Sequence, residues 1–374
     1  AAEAMGKLGA EGKDAVPALV QALRDKDAWV GSRAALALGH VGPSAVGAVP
    51  ALVRALRHED AAVRGRSAEA LGKIGPEARN AIPPLIQSLK DENDWVGSRA
   101  SLALGRIGPA AIPQLIRACG AKEEPTRRYA ALALGNTGAE AKDAVPALIR
   151  ALKDRSAGVR YCAADALGKI GLPAEDAIWA LALALKDQNA TVRGRAAEAL
   201  GKIGPPAASA VPALARVLED KERDVQGRAA VALGKMGPAA KVAVPGLVRL
   251  LDSEYWPLRR DAAVALGKIG PPAKDAVPGL IQALQDKNIQ GLRVPAAVAL
   301  GNIGPGAAEA APALLQVLRE KPPVGCAEAT EALAKIGAPA VTQLIQGLQD
   351  PDVEVRRPSA EALSKIGAPA KDAA

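Results

Sequence analysis

Residues 70–75 read Ala-Leu-Gly-Lys-Ile-Gly, and close variants of this hexapeptide recur along the whole chain of 374 residues. Its last glycine falls at twelve positions: Gly9, Gly42, Gly75, Gly108, Gly138, Gly171, Gly204, Gly237, Gly270, Gly304, Gly337 and Gly367. Eight of the eleven spacings are 33 residues, one is 34 and two are 30. A fixed period of roughly 20 to 50 residues is the signature of a repeat protein, in which each repeat packs only against its neighbours.

The composition suits many thin layers rather than one large core. The chain has no Phe and only 2% aromatic residues, so Ala, Leu, Val and Gly supply most of the apolar side chains. Because small side chains fill little volume, helices that bury them must lie close together. We therefore predict an all-α fold, an α-α superhelix (solenoid) of about eleven two-helix repeats.

Each repeat reads as two helices joined by a short charged turn. In the first, Asp14 is expected to be the N-cap and Pro17 to lie in the first turn. Its apolar residues follow the i, i+3, i+4, i+7 spacing of one helix face, at Val16, Leu19, Val20 and Leu23. The second helix is expected to end at Gly39 and Gly42, with Leu38 and its equivalents forming a ladder between layers.

The period predicts one continuous array over residues 1–374. Residues 1–9 would be a partial repeat, 10–367 eleven full repeats, and 368–374 the start of a further unit. Because neither end carries an obvious polar cap, we expect end-to-end self-association or a natural chain that continues.

Several features of the repeat resemble HEAT repeats: the Ile/Val-Pro-x-Leu start of the first helix, the turn Asp, the Val63-Arg64 pair and the Ala-Leu-Gly-x-Ile-Gly ending. They are most similar to the short HEAT-like unit named after phycobilisome lyases, and the match spans the chain. The resemblance implies that the second helices line a concave face. It implies no single function, because the family includes bilin lyases, scaffolds and nucleic-acid-binding proteins.

Few residues could support catalysis or metal binding. His40 and His58 are the only histidines, and they lie in different repeats. Cys119, Cys162 and Cys326 are too far apart for a disulfide framework or a zinc site, and Cys162 has no His in its repeat to act as a base. We expect no metal, no cofactor, no membrane span and no catalytic site, and the thiols suit a reducing, cytoplasmic compartment.

The formal charge of +8 is spread thinly. Lys and Arg number 18 against 14 acidic residues over 1–138, but 10 against 11 over 271–374. A dilute excess is only a weak indicator of nucleic-acid binding, which usually needs a concentrated basic stripe. Five lysines follow a carboxylate four residues earlier and should form helical ion pairs with it: Lys73, Lys169, Lys202, Lys335 and Lys365.

Candidate binding residues stand three positions after the core Val of the second helices. This slot holds Arg33, Arg66, Arg99, Tyr129, Arg195 and Arg228. Arginines of successive repeats would lie about 8–10 Å apart, which suits an extended acidic partner. Aromatic and apolar residues accompany them at Trp29, Leu36, Trp95, Leu102 and Trp256. We predict that these eleven residues bind a partner on the concave face.

Two alternatives stay open for these side chains. The tryptophans could pack in the core under the turns. Each slot arginine could instead pair with a turn carboxylate of a neighbouring repeat, with Arg33 and Arg99 standing in where Gly31 and Gly97 replace the usual arginine. That usual arginine is expected to pair in this way at Arg64, Arg160, Arg193 and Arg356.

For function, a non-catalytic protein-interaction scaffold is favoured. The alternatives are a bilin lyase or lyase-like chaperone, and a nucleic-acid-binding protein of the HEAT-like glycosylase type. The last would need an aromatic residue and a carboxylate in one pocket, for which Trp256 with Asp261 is the pair to test.

Overall fold

The computed structural model describes residues 9–286, 290–320 and 324–367, and within these ranges every regular element is a helix. Short first helices alternate with longer second helices. The first helices are α1 (Val16–Ala22), α3 (Val49–Ala55), α5 (Ile82–Ser88), α7 (Ile112–Ala118), α9 (Val145–Ala151), α11 (Ile178–Ala184), α13 (Val211–Val217), α15 (Val244–Leu251), α17 (Val277–Gln285), α19 (Ala311–Arg319) and α21 (Val341–Leu348). The second helices are α2 (Ala28–Val41), α4 (Ala61–Ile74), α6 (Asp94–Ile107), α8 (Glu124–Thr137), α10 (Ala157–Ile170), α12 (Ala190–Ile203), α14 (Arg223–Met236), α16 (Trp256–Ile269), α18 (Gln290–Ile303), α20 (Cys326–Ile336) and α22 (Val353–Ile366).

The helices fall into two compact units, Ala1–Ala184 with α1–α11 and Leu185–Ala374 with α12–α22. In both, second helices of successive repeats pack against one another, and the predicted leucine ladder is fully buried from Leu38 to Leu333. A single continuous array stays a prediction. Its partial repeats at residues 1–8 and 368–374, with Leu8, lie outside the described residues.

The start of the first helix differs from the prediction. Asp14 is not its N-cap: Gly9–Ala15 form a 3-10 turn, α1 begins at Val16, and the N-cap Ala15 makes no side-chain hydrogen bond. Because the 3-10 turn runs directly into the helix, the first N–H groups can use carbonyls of that turn, and a capping side chain is not needed. Pro17 lies in the first turn as predicted.

Among the described residues, five second helices have side-chain N-caps: α2, α4, α6, α12 and α22. Asp27 accepts a hydrogen bond from the backbone N–H of Trp29 at 2.8 Å, and Asp60 accepts from two N–H groups in α4. Helix α2 ends at Gly42, whose φ of 67° is strained for any side chain other than glycine, while its N–H donates to the carbonyl of Leu38.

Gly39 does not end the helix, contrary to the prediction. It lies inside α2 and is buried, and a Cβ atom on it would lie 3.1 Å from Cα of Ala70 in the next repeat. The equivalent distance is 2.7 Å from Gly72 to Ala103 and 2.8 Å from Gly201 to Ala232. The first glycine of the hexapeptide therefore allows adjacent second helices to approach closely.

Arginine side chains join successive turns. Arg64 donates to both carboxylate oxygens of Asp91, at 2.7 and 2.8 Å, and to the carbonyls of His58 and Glu59 at the end of its own turn. The same arginine-to-turn ion pair recurs at Arg127–Asp154, Arg193–Asp220, Arg259–Asp286 and Arg293–Glu320. This confirms the predicted role of Arg64 and Arg193, and Arg160 and Arg356 make the same pair of bonds to carbonyls of their own turns.

One stretch, Ala28–Ala55, is long and apolar enough by composition to cross a membrane, with a mean hydropathy of 1.5. It comprises α2 and α3, which the left-handed backbone at Gly42 and a 3-10 turn separate. More than half of it is buried inside the protein, so the hydropathy is that of repeat core.

Candidate functional site

The slot arginines and tryptophans of the first unit form what we call the N-terminal cluster: Trp29, Arg33, Arg66, Trp95 and Arg99. The guanidinium carbon of Arg33 lies 5.3 Å from the centre of the Trp29 ring. The Trp95 ring lies near two arginines, Arg66 at 5.6 Å and Arg99 at 5.4 Å. At these distances the cations and rings attract each other by about 0.5–1 kcal/mol per exposed pair.

The two tryptophans of the cluster differ in solvent exposure. Trp29 is 64% exposed, whereas Trp95 is half-buried against the preceding repeat. A Cβ atom on Gly65 would overlap the Trp95 ring, so the missing side chain of α4 provides the space into which the ring packs. Core-type packing therefore applies in part to Trp95 and not to Trp29. Leu36 and Leu102 are half-buried beside the cluster.

The three cluster arginines have different charge environments. Arg66 pairs with Glu69 at 2.9 Å, and Lys73 pairs with the same carboxylate at 3.1 Å. Partial burial alone would raise the pKa of Glu69, but hydrogen bonds from Lys73 and Arg66 lower it. Within the described residues, Arg33 and Arg99 form no ion pair, so they do not stand in for the arginine missing at Gly31 and Gly97.

Tyr129 occupies the arginine slot of α8, but the structure removes it from the predicted binding surface. Its ring is buried, and its hydroxyl donates to the backbone carbonyl of Asp94 at 2.7 Å. A Cβ atom on Gly97 would lie 2.5 Å from that ring. Arg128 covers the outer side at 4.3 Å and pairs with Asp94. Burial and the Asp94 contact raise the pKa of the Tyr129 hydroxyl, so it stays a neutral packing residue.

In the second unit, Arg195 and Arg228 both pair with Glu198. Burial would raise the pKa of Glu198, but Lys202 and these arginines lower it, so the carboxylate stays ionised. All five predicted i,i+4 lysine–carboxylate pairs are present, the longest at 3.9 Å between Lys335 and Glu331. The positive charges of Arg195, Arg228 and the five lysines are therefore compensated by nearby carboxylates.

Trp256, 44% exposed, lies near Arg260 at 5.5 Å rather than facing Asp261. Asp261 pairs with Arg260 at 2.9 Å and lines a cavity of about 640 Å³, whose aromatic wall is Tyr255 and not Trp256. The aromatic–carboxylate pocket that a nucleic-acid glycosylase would need is therefore not formed by the pair named from the sequence.

The surroundings of the cysteines disfavour nucleophilic chemistry. Burial raises the pKa of Cys119 to about 12 and that of Cys162 to about 11, so both thiols are protonated at neutral pH. Among the described residues, no three His, Cys, Asp or Glu side chains are grouped closely enough to hold a metal ion.

Sequence reasoning missed one exposed apolar patch, on α11. Trp179 is 70% exposed and replaces the Pro found at this position in most first helices, and Leu183, one turn later, replaces Arg or Gln. Leu172 is exposed just before the helix. Aligning the repeats with one another reveals all three substitutions.

Comparison with family models matches HEAT repeats in six overlapping segments that together span the chain: residues 1–55, 49–135, 112–182, 178–267, 244–334 and 311–374. No curated protein sequence matches significantly.

Solved structures share the fold. An engineered protein matches with a TM-score of 0.51 at 24% identity, covering 94% of this chain and 99% of its own. Importin beta matches with 0.61 at 17% identity, over 95% of this chain and 57% of its own. A Kap95:Nup1 complex matches with 0.62 at 14% identity, over 97% and 59%. This chain thus spans little more than half the length of these two relatives, and it belongs to the HEAT-repeat family, with the all-α solenoid fold expected from its sequence.

Proposed function

We propose that the chain is a non-catalytic scaffold that binds a partner protein through its second helices, with the N-terminal cluster as the main contact. The observation that carries this proposal is the exposed Trp29 beside Arg33, followed by Trp95 between Arg66 and Arg99. Tryptophan and arginine are the side chains most enriched among residues that dominate binding energies at protein interfaces.

The electrostatics of the cluster favour an acidic partner segment. Arg33 and Arg99 contact aromatic rings and form no ion pair with any described residue, so their terminal N–H groups can donate to carboxylates of a partner. Each ring also fixes the position of its guanidinium, which lowers the entropy that binding must remove.

The structural relatives support a protein partner in general terms. One is the Kap95:Nup1 complex, and another is Kap121p bound to Pho4p, so related folds bind protein chains. The concave location of the binding face and the phycobilisome-lyase type of the repeat stay predictions. Binding of a bilin and binding of nucleic acid are the alternatives that the experiment must separate from binding of a protein.

The test is affinity capture from the native host with the wild-type chain, Arg66→Glu and the control Arg54→Glu. The control reverses an exposed arginine on the first helix α3. We expect a protein in the wild-type and control eluates, and binding at least about ten-fold weaker for Arg66→Glu. The stability should change by less than about 1 kcal/mol, because the side chain of Arg66 is partly exposed.

Two results would reject the proposal. A chromophore or nucleic acid as the retained ligand would favour the lyase or nucleic-acid alternative. A lower melting temperature of Arg66→Glu, with the affinity of the folded protein intact, would make Arg66 a structural residue only.

A further inference from the structure

Three valines form an exposed apolar row on consecutive second helices of the second unit. Val231, Val264 and Val298 lie on α14, α16 and α18 and are 38%, 36% and 42% exposed. At the same position, five other second helices carry a carboxylate: Glu69, Asp165, Glu198, Glu331 and Glu361. Valine is a weaker helix former than glutamate, and exposed valine gains little from burial, so helix stability does not explain the row.

Cavities lie at both ends of the row. The larger, of about 640 Å³, is lined by residues of α12, α14 and α16, among them Val231, Tyr255 and Leu258. The smaller, of about 210 Å³, is lined by Val298 and by residues of α20. We call this surface, from the larger cavity through Val264 to the smaller one, the C-terminal groove.

The larger cavity of the groove has unpaired cations, whereas the smaller one contains Glu328, which forms no ion pair with any described residue. The three carboxylates in the larger cavity already have cationic partners, Glu198 and Asp224 with Arg228, and Asp261 with Arg260. Two cations of the same cavity, Arg223 and Lys235, form no ion pair with any described residue. Lys268, at the equivalent position of α16, also forms none. Valine at the i−4 position is the reason, because it replaces the carboxylate that pairs with lysine elsewhere.

The spacing of the row is fixed by the close helix contacts. A Cβ atom on Gly234 would lie 2.9 Å from Cα of Ala265, and one on Gly267 would lie 2.8 Å from Cα of Ala299. Helices in such contact lie about 8–10 Å apart. A polyproline-II chain advances about 9 Å in three residues and returns to the same side after three. In a β-strand, residues three apart point to opposite faces, so the middle one of three such residues would point away from the row.

We propose that the C-terminal groove binds a polyproline-II segment of a partner protein that has an apolar side chain at every third residue and carboxylates between them. The apolar side chains contact Val231, Val264 and Val298, and the carboxylates pair with Arg223, Lys235 and Lys268. This inference rests on the proposed scaffold function and adds the chemistry of one bound segment.

The probe is a fluorescein-labelled peptide, acetyl-(Leu-Pro-Glu)5-amide, titrated by fluorescence anisotropy. Val231→Glu with Val264→Glu restores the ordinary repeat pattern, so Lys235 and Lys268 gain i−4 partners and the helices stay folded. We expect this double variant to bind the peptide at least about ten-fold more weakly without a lower melting temperature. The control is Val242→Glu, an exposed valine in the 3-10 turn before α15.

Comparison peptides and a nucleic acid complete the design. A peptide of identical composition with irregularly spaced leucines, a helical peptide with leucine at every seventh residue, and acetyl-(Leu-Pro-Lys)5-amide should each bind at least about ten-fold more weakly. Equal binding of any of these, equal binding by the double valine variant, or tighter binding of a single-stranded oligonucleotide would overturn the proposal. If the wild-type chain captures a protein and Arg66→Glu weakens that capture, but the wild-type chain does not bind the peptide, this inference alone is refuted. If the wild-type chain binds the peptide but Arg66→Glu captures the protein as well as the wild type does, only the role of the N-terminal cluster is refuted.

Discussion

The ion pair between Arg193 and Asp220 should be essential to the contact between successive repeats in the second unit. The two side chains are about 90% buried, with N–O distances of 2.6 and 2.8 Å, and Arg193 also donates to the carbonyls of Asp187 and Gln188. Removing one partner of a buried pair leaves an uncompensated charge and costs about 3–5 kcal/mol. We expect Arg193→Gln to lower the free energy of unfolding by about 3 kcal/mol.

The next repeat shows which pair of residues can replace this ion pair. In the following repeat, Gln226 replaces the arginine and donates to the carbonyl of Asp220 at 2.7 Å, while Ser253 replaces the turn aspartate. Combining Arg193→Gln with Asp220→Ser reproduces this natural pair. The double variant should be more stable than the sum of the single effects predicts, by about 1–3 kcal/mol of coupling.

The assay is guanidinium unfolding followed by circular dichroism, with hydrogen exchange of α12 to α14 to locate the loss. The local readout matters because repeat arrays often do not unfold in one step. A change below about 0.5 kcal/mol for Arg193→Gln, or strictly additive single effects, would refute the reasoning.

The same pair predicts a pH dependence. The hydrogen bond from Arg193, with that from the backbone N–H of Glu222, holds the pKa of Asp220 below its ordinary value of 3.8 despite burial. A lowered folded-state pKa stabilises the protein above the unfolded value, and this stabilisation is lost as the pH falls through the folded pKa. The stabilisation that the Asp220 carboxylate gives the wild type should therefore be constant near neutral pH and be lost as the pH falls below 3.8, as unfolding curves at a series of pH values would measure.

Three further changes test the packing. Gly65→Ala should displace the Trp95 ring, lower the free energy of unfolding by about 1–3 kcal/mol through overpacking and shift the tryptophan emission, whereas Gly47→Ala, with nothing within 4 Å, should do neither. Cys162 should react with a thiol reagent at pH 8 at least about 100-fold more slowly in the folded than in the unfolded chain, because its pKa is raised to about 11; equal rates would contradict its burial. Trp179→Pro restores the ordinary residue in the first turn of α11 and should change the stability by less than about 1 kcal/mol by thermal unfolding; a larger loss would show that the exposed ring packs in solution.

Local features were predictable from the sequence because their partners lie within one helical turn or one repeat. The pairing of Lys73 with Glu69 follows from i,i+4 geometry alone. The pairing of Arg64 with Asp91 follows once repeats are assumed to stack in register. The predicted N-cap at Asp14 is wrong because the helix continues directly from a 3-10 turn and needs no capping side chain. The sequence alone does not distinguish this start from one capped by Asp.

Contacts that depend on a missing side chain were not predictable in the same way. Tyr129 occupies an arginine slot, yet it is buried because Gly97 of the preceding repeat leaves space for its ring. Gly39 resembled a helix terminus, but it sits opposite Ala70 and sets the helix spacing. In each case a glycine, which has no side chain, leaves space for a residue about one repeat away. The match between the two positions becomes visible only when the repeats are aligned with an offset of one.

The same alignment separates structural from functional positions. Four repeats lack the turn-joining arginine, and in three of them the carboxylate that it would contact is absent too: Gly31 with His58, Gly97 with Ala121, and Gln226 with Ser253. In the fourth, Cys326 replaces the arginine, and the retained Asp350 pairs with Arg319 instead. A buried charge without a partner is costly, so the two positions change together or the remaining charge pairs elsewhere, and their identities report on stability. The slots that carry Arg33 and Val231 change without a matching substitution in the next repeat. Because the stacking contacts of the repeat do not fix these residues, they are the positions at which one repeat can differ from the next to suit a partner.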